Sequence, residues 1–537
     1  MSSWGKGGDV ARASWWTVSE RRFLVSTALL VMALGYSVGR WPLPTLVVFA
    51  ALALFIGTIW SRGFALGAIL VSSLVMLSIT AWFGLPAQSG LLTKVLVGLF
   101  ALTVLLDLGP RNPLHVPISM VMWVVVLAVS ATFSASNRFL AFQAMAAYIM
   151  APTAYVAIVH SSLSMKSLKR LALIVVAIVA AQAPIVFIQA SFFTTNGDRM
   201  GGTFGTYGGT AFQAVVMGFA WTIAVALLYG RRRVWLVPVL LPIAAILVTT
   251  QTWGGFVFAA LGTIGVGVAR TVANPRRGVF VLLQYAVMSL AAVAVLYAGY
   301  AFVGTNLPGG TAGLTPSAIT TYLYSHHGSA GQVDRLEGIR LVLNRSWTIA
   351  DLLIGQGMGV LSSSPALLGR DAVSPSALNA TFGWATSATR SLFETGLLGI
   401  LLYLIAIGFA VGAVVKSWAS CADELGVAVG AAAVGSAVIY VAAALYTTPW
   451  LSDAIAVLFW CLMGMAVKWG RLRSAELETT RLGAILNTAA DSDTGVARPA
   501  LAPPQPLPGP HGTAKPPCAE NVRTLRLCDG DVNSLCD

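Results

Sequence analysis

Charge is what this sequence lacks most. Only 10% of its 537 residues are Asp, Glu, Lys or Arg, against about 25% in a typical soluble protein. With 57% apolar residues and a mean hydropathy of +0.79, a soluble domain of this size would leave too much apolar surface in contact with water, which excludes a soluble enzyme. Cysteine is scarce too. The five present (Cys421, Cys461, Cys518, Cys528 and Cys536) form no C-x-x-C pair and have no neighbouring His, which argues against a metal centre and a disulfide framework. The ten-residue dyad alternation of membrane β-barrel strands is also missing. Ionisable groups are almost absent from the middles of the long apolar runs between residues 23 and 303. Ion-coupled transporters need such groups at membrane depth, so this scarcity weakens the transporter reading.

Long apolar runs separated by short polar breaks remain, and they predict an all-α polytopic membrane protein. Fourteen spans are expected, near 23–38, 43–60, 64–83, 91–106, 115–132, 141–160, 171–193, 207–229, 235–250, 254–269, 279–303, 394–415, 425–446 and 451–467. The first 22 residues hold Lys6, Arg12, Arg21 and Arg22 without an apolar cleavage signal, so they read as a cytoplasmic lead-in. Alternate loops then carry the basic residues. Arg62, Arg111, Lys166, Lys169, Arg170, Arg231–Arg233, Arg270, Arg276, Arg277, Lys416, Lys468, Arg471 and Arg473 fall on one side, whereas short loops on the other hold only Arg40, Lys94, Arg138 and Arg199. By the positive-inside rule both termini are cytoplasmic and the segment 304–393 is a large extracytoplasmic loop. The formal net charge of +13 is therefore topological and does not point to nucleic acid. Beyond about residue 474 a polar stretch with eight prolines (Pro499 to Pro517) predicts disorder, because little can be buried to offset ordering entropy; the segment 468–537 is read as a cytoplasmic Pro-rich tail.

Polar chemistry on the outer side concentrates in a few places. The loop after the seventh span contains Arg199 in a glycine-rich setting with Gly202 and Thr203. Backbone N–H groups bared by glycine, together with a bidentate guanidinium, suit an anionic headgroup. The long segment 304–393 exceeds ordinary connections. Inside it, Gly331–Arg345 places Val333, Leu336, Ile339 or Leu343 at helical spacing, with Asp334 and Arg335 on the polar face. Arg340 and Arg345 read as solvated. Gly355-Gln356-Gly357-Met358-Gly359 then forms a turn able to fold back to the membrane, and Arg390 and Glu394 open the next span, Glu394 favourably placed at a helix N-terminus.

In this order and topology these segments resemble the O-antigen ligase and polymerase superfamily of membrane glycosyltransferases. The matching residues are Arg199 with Gly202-Thr203-Phe204-Gly205, Arg335 with the 355–359 glycine turn, and Glu394-Thr395-Gly396-Leu397-Leu398-Gly399; the likeness covers roughly residues 110–410. The resemblance implies a C-type membrane glycosyltransferase-like fold in the cytoplasmic membrane, with no metal or other cofactor. It implies a polyprenyl-diphosphate-linked glycan as donor, a glycan or lipid hydroxyl as acceptor, and polysaccharide-assembly proteins as further partners. Its external arginines would stabilise the leaving diphosphate while a base assists the acceptor.

Two positions depart from the family pattern. Ala385 and Thr386 stand where many members have His-Asn, and Thr252-Trp253 where many have Ser-Arg. The usual base is thus missing, and its candidates are His326 and His327 beside Tyr322 and Tyr324, or else Glu394 or Asp334. Arg390, four residues before Glu394, is a further anion-binding candidate. These departures fit a divergent polymerase or ligase for a surface polysaccharide better than a lipopolysaccharide ligase. A flippase for lipid-linked glycan and a catalytically decayed membrane scaffold are the alternatives.

Overall fold

The computed structural model describes residues 56–83, 91–108, 116–134, 138–192, 209–228, 237–249, 253–273, 278–306, 335–344, 348–361, 385–419 and 424–493. Every regular element among them is helical: α1 (Arg62–Phe83), α2 (Leu91–Asp107), α3 (Ile118–Thr132), α4 (Arg138–His160), α5 (Met165–Phe192), α6 (Gly209–Leu228), α7 (Val237–Thr249), α8 (Trp253–Ala273), α9 (Gly278–Asn306), α10 (Arg335–Asn344), α11 (Ile349–Ile354), α12 (Ser387–Ala419), α13 (Glu424–Ala443) and α14 (Asp453–Asp493). Eight of these, α4, α5, α6, α8, α9, α12, α13 and α14, are long and apolar enough to cross a membrane. The chain is a polytopic helical membrane protein. Of the fourteen spans expected, the twelve from 64–83 onward fall on helices, eight of which meet the length and apolarity needed to span; 23–38 and residues 43–55 of the second lie outside the described residues.

The helices sort by how much of each faces lipid. On α9, Val279, Phe280, Leu283, Val287, Leu290 and Val295 are exposed, as lipid contact allows when a hydrocarbon solvent replaces water. The spanning part of α14 is the most enclosed, with Phe459, Trp460, Cys461 and Met463 fully buried. Small residues bring backbones together at the α6–α8–α13 junction: a Cβ on Gly435 would lie 2.8 Å from the Gly262 carbonyl oxygen, and one on Gly262 would meet Thr222. This is how membrane helices gain packing without a hydrophobic drive between them. Some polar groups in the interior pair with one another. Tyr403 and Tyr440 share a hydrogen bond of 2.8 Å, the Trp460 indole donates to the Tyr403 hydroxyl at 3.1 Å, and Trp123 stacks on Tyr403. Asp107, the last residue of α2, pairs with Arg62.

Three expectations need correction. Chain beyond about residue 474 was expected to be disordered, but α14 continues helical to Asp493; the prolines begin only at Pro499, and the Ala, Leu, Glu and Arg before them are good helix formers. The chain divides into two compact units, 1–478 and 479–537, the second holding the helical residues 479–493. The last long helix before α13 was expected to start at Glu394. It starts at Ser387, where the Thr386 hydroxyl accepts from the Thr389 N–H at 3.3 Å, the bond of an N-cap. The amphipathic segment of the long loop is helical as α10, but its buried residue is Val342, with Ile339 beside it, while Leu343 is exposed. The apolar stripe is offset because Val342 packs with Leu361, Leu392 and Phe393, a partner surface that the helix's own sequence does not contain.

Candidate functional site

One end of α12 gathers the segments that looked functional in the sequence. The helix breaks at Gly396, whose φ of 66° and ψ of −171° are not helical. Gly355, at φ 77°, sits against the break: a Cβ there would come 2.4 Å from the Glu394 carbonyl carbon, and a Cβ on Gly396 would come 2.4 Å from the Leu353 carbonyl. Only glycine tolerates both the backbone conformation and the approach. The glycine turn 355–359 and the Glu-x-Gly motif, 35 or more positions apart in sequence, thus interlock backbone to backbone.

Hydrogen bonds fasten this joint. The Gln356 N–H donates to the Phe393 carbonyl at 2.8 Å and the Met358 N–H to the Ser130 carbonyl at 3.3 Å. Ser130 donates from its hydroxyl to the Glu394 carbonyl at 2.5 Å, and Ser134 to the Met358 carbonyl at 2.7 Å. The Leu361 N–H donates to Glu394 Oε1 at 3.1 Å. The short helix α11, which delivers the turn, starts with a capping box in which Thr348 and Asp351 exchange side-chain to backbone bonds. A loop remote in sequence is thereby fixed to the end of α3 and to the break of α12.

Glu394 is fully buried, and its carboxylate holds a backbone N–H of the turn. Four residues earlier, Arg390 is half-buried and faces a small cavity beside α4. Between them in sequence, Ser391 shares a 3.0 Å hydrogen bond with Tyr148 of α4. Arg335, the first residue of α10, places its guanidinium carbon 4.0 Å from the ring centroid of Tyr446, a cation–π geometry. The Tyr446 ring meets Phe258 edge-on and would clash with a Cβ on Gly254. The turn carrying Tyr446 is tied to the start of α12, with the Ser387 N–H donating to the Thr447 carbonyl at 2.9 Å and the Trp450 N–H to the Ser387 hydroxyl at 3.1 Å.

Arg335, Arg390 and Glu394, expected as site residues, are thus brought to one region around the first turns of α12. Arg199, Gly202, Thr203, His326, His327 and Asp334 lie outside the described residues. Arg340 is exposed and pairs with Glu337 at 3.7 Å, in keeping with a solvated face. Among the described residues, no three His, Cys, Asp or Glu side chains cluster as a metal site. The sequence reading missed Tyr446, Ser130, Ser134 and Tyr148. The only available signal was a Tyr-Thr-Thr-Pro-Trp turn between the last two spans, which no spacing rule links to Arg335.

No protein-family model matches the chain, and a comparison with curated proteins gives no match.

Proposed function

We propose that the protein is a membrane glycosyltransferase that polymerises or ligates cell-envelope glycan. It takes glycan from an undecaprenyl-diphosphate carrier and passes it to a hydroxyl acceptor at the outer face of the cytoplasmic membrane, with both termini in the cytoplasm. The observation that carries this reading is the convergence on one end of α12 of Arg335, the 355–359 glycine turn and the Glu394-Thr395-Gly396 break. Convergence of these segments is what the resemblance to O-antigen ligases and polymerases requires, and nothing in their sequence spacing demands it.

Transfer breaks the bond between the anomeric carbon and the diphosphate oxygen, so negative charge develops on the leaving diphosphate. Arg335 and Arg199 serve as the preplaced cations that stabilise it, an effect strengthened where water is excluded. Tyr446 orients Arg335 by stacking its ring against the guanidinium. Glu394, committed to the Leu361 N–H, positions the glycine turn, and the proton of the acceptor hydroxyl goes to His326 or His327 on the long loop. Arg335→Ala and Arg199→Ala in a deletion strain, each checked for normal membrane insertion, should abolish polymer or ligated product. Full product from both variants would overturn the proposal. In the deletion strain, accumulated single repeat units would identify a polymerase and accumulated long lipid-linked chains a ligase.

A further inference from the structure

Two cavities lie along one seam between α2 and α4. The upper one, of about 120 Å³, is lined by Lys94, Gln143 and Arg390 together with Leu140, Ala144 and Leu451. Its volume admits a phosphate group. Two cations face it, and no carboxylate is among the described residues that line it. Lys94 is the fourth residue of α2, Gln143 the sixth of α4 and Arg390 the fourth of α12, so three helices begin at this cavity. The two side-chain cations favour an anion at this point.

The lower cavity, of about 330 Å³, is walled by side chains of α2, α3 and α4, including Ala101, Val104, Met120, Trp123, Ile149 and Pro152, and is almost wholly apolar. Ala101 and Val104 follow Lys94 by seven and ten residues, which at 1.5 Å per residue places this cavity about 10–15 Å further along α2. The same direction holds on α4, from Gln143 to Ile149 and Pro152. Val95 and Phe142, next in sequence to Lys94 and Gln143, are exposed apolar side chains on the same two helices.

We propose that this seam is a binding site for a phosphorylated lipid, with its phosphate or diphosphate head between Lys94, Gln143 and Arg390 and its apolar chain in the cavity below. That the lipid is the polyprenyl-diphosphate carrier rests on the function proposed above; the head-and-chain chemistry rests on the two cavities. Lys94 binds the head as a point charge, Arg390 can grip it bidentately, and the Gln143 amide adds a neutral donor.

The test uses the full chain in nanodiscs of phosphatidylcholine and measures binding of inorganic diphosphate, farnesyl diphosphate and phosphatidic acid. Farnesyl diphosphate should bind more tightly than inorganic diphosphate. Lys94→Gln and Arg390→Gln should each weaken both by ~10- to 100-fold, since a hydrogen bond to a charged group contributes about 1.5–3 kcal/mol and 1.4 kcal/mol is tenfold. Lys94→Arg should retain binding. Ala101→Phe, or the milder Ala101→Leu, should weaken farnesyl diphosphate and leave inorganic diphosphate unchanged. Unchanged binding in Lys94→Gln and Arg390→Gln variants that elute like the parent would overturn the site. Tighter binding of phosphatidic acid than of farnesyl diphosphate would overturn the carrier assignment. No glycan is transferred in this assay, so failure of the glycosyltransferase reading and failure of the lipid site are observed separately.

Discussion

Glu394 separates a positioning role from a chemical one, and two substitutions distinguish them. Its Oε1 accepts the Leu361 N–H at 3.1 Å in a fully buried setting. Glu394→Gln keeps an oxygen at that place and loses the charge. A hydrogen bond to a charged group contributes about 1.5–3 kcal/mol and one between neutral groups about 0.5–1.5 kcal/mol, so the amide should cost about 1 kcal/mol. Glu394→Ala leaves the N–H buried without its partner, at about 1–3 kcal/mol, and adds a cavity beside Phe393 and Leu361. The glycine turn should then detach from α12. Thermal unfolding of detergent-purified protein, read beside surface-glycan length in complemented cells, gives both quantities. The expected order is parent, then Gln slightly less stable with polymer retained, then Ala clearly less stable with polymer lost. A Gln variant as stable as the parent but without polymer would refute the reasoning, because Glu394 would then act through its charge, as a general base worth about 10²–10⁴ in rate would.

Other substitutions probe the same region. Gly396→Ala forces a side chain into positive φ and against the Leu353 carbonyl; a cost of about 1–3 kcal/mol from the backbone alone, with loss of product, is expected in the same two assays. Tyr446→Phe keeps the ring under Arg335 and should leave glycan length unchanged, whereas Tyr446→Ala removes a contact of about 0.5–2 kcal/mol and should shorten or abolish the polymer; equal behaviour of the two would contradict a stacking role. For topology, single cysteines at Arg138 and Lys166 on a cysteine-free background should label oppositely: Arg138→Cys with an impermeant maleimide in intact spheroplasts, Lys166→Cys only after permeabilisation. Labelling of both from outside would contradict the assigned orientation.

What the sequence conveys about this molecule follows the range of the interactions involved. Membrane spans depend on a local run of apolar side chains, so the expected stretches from 64–83 onward coincide with helices. The glycine turn and the Glu394 motif were recognisable because positive φ at Gly355 and Gly396 leaves a compositional mark at each position. That the two marks touch each other is not written locally, since the clash that demands glycine at 396 is with Leu353. Arg335 stood out as a charge in a long loop, but its ring partner Tyr446 lies 111 positions later, beyond any helical or strand period. Lys94 looked like a stray outside charge until α4 and α12 brought Gln143 and Arg390 to the same cavity. The start of α12 was misjudged because Ser387–Phe393 is polar enough to read as loop, while its hydroxyls bond to Thr386, Tyr148 and Trp450 inside the protein.

The most direct test of the central claim is transfer itself, with purified protein reconstituted in liposomes carrying a lipid-linked oligosaccharide donor and the products resolved by mass. The account predicts longer or newly attached glycan with release of undecaprenyl diphosphate, and no such product from Arg335→Ala. Oligosaccharide that crosses the bilayer with its lipid linkage and length unchanged would contradict it.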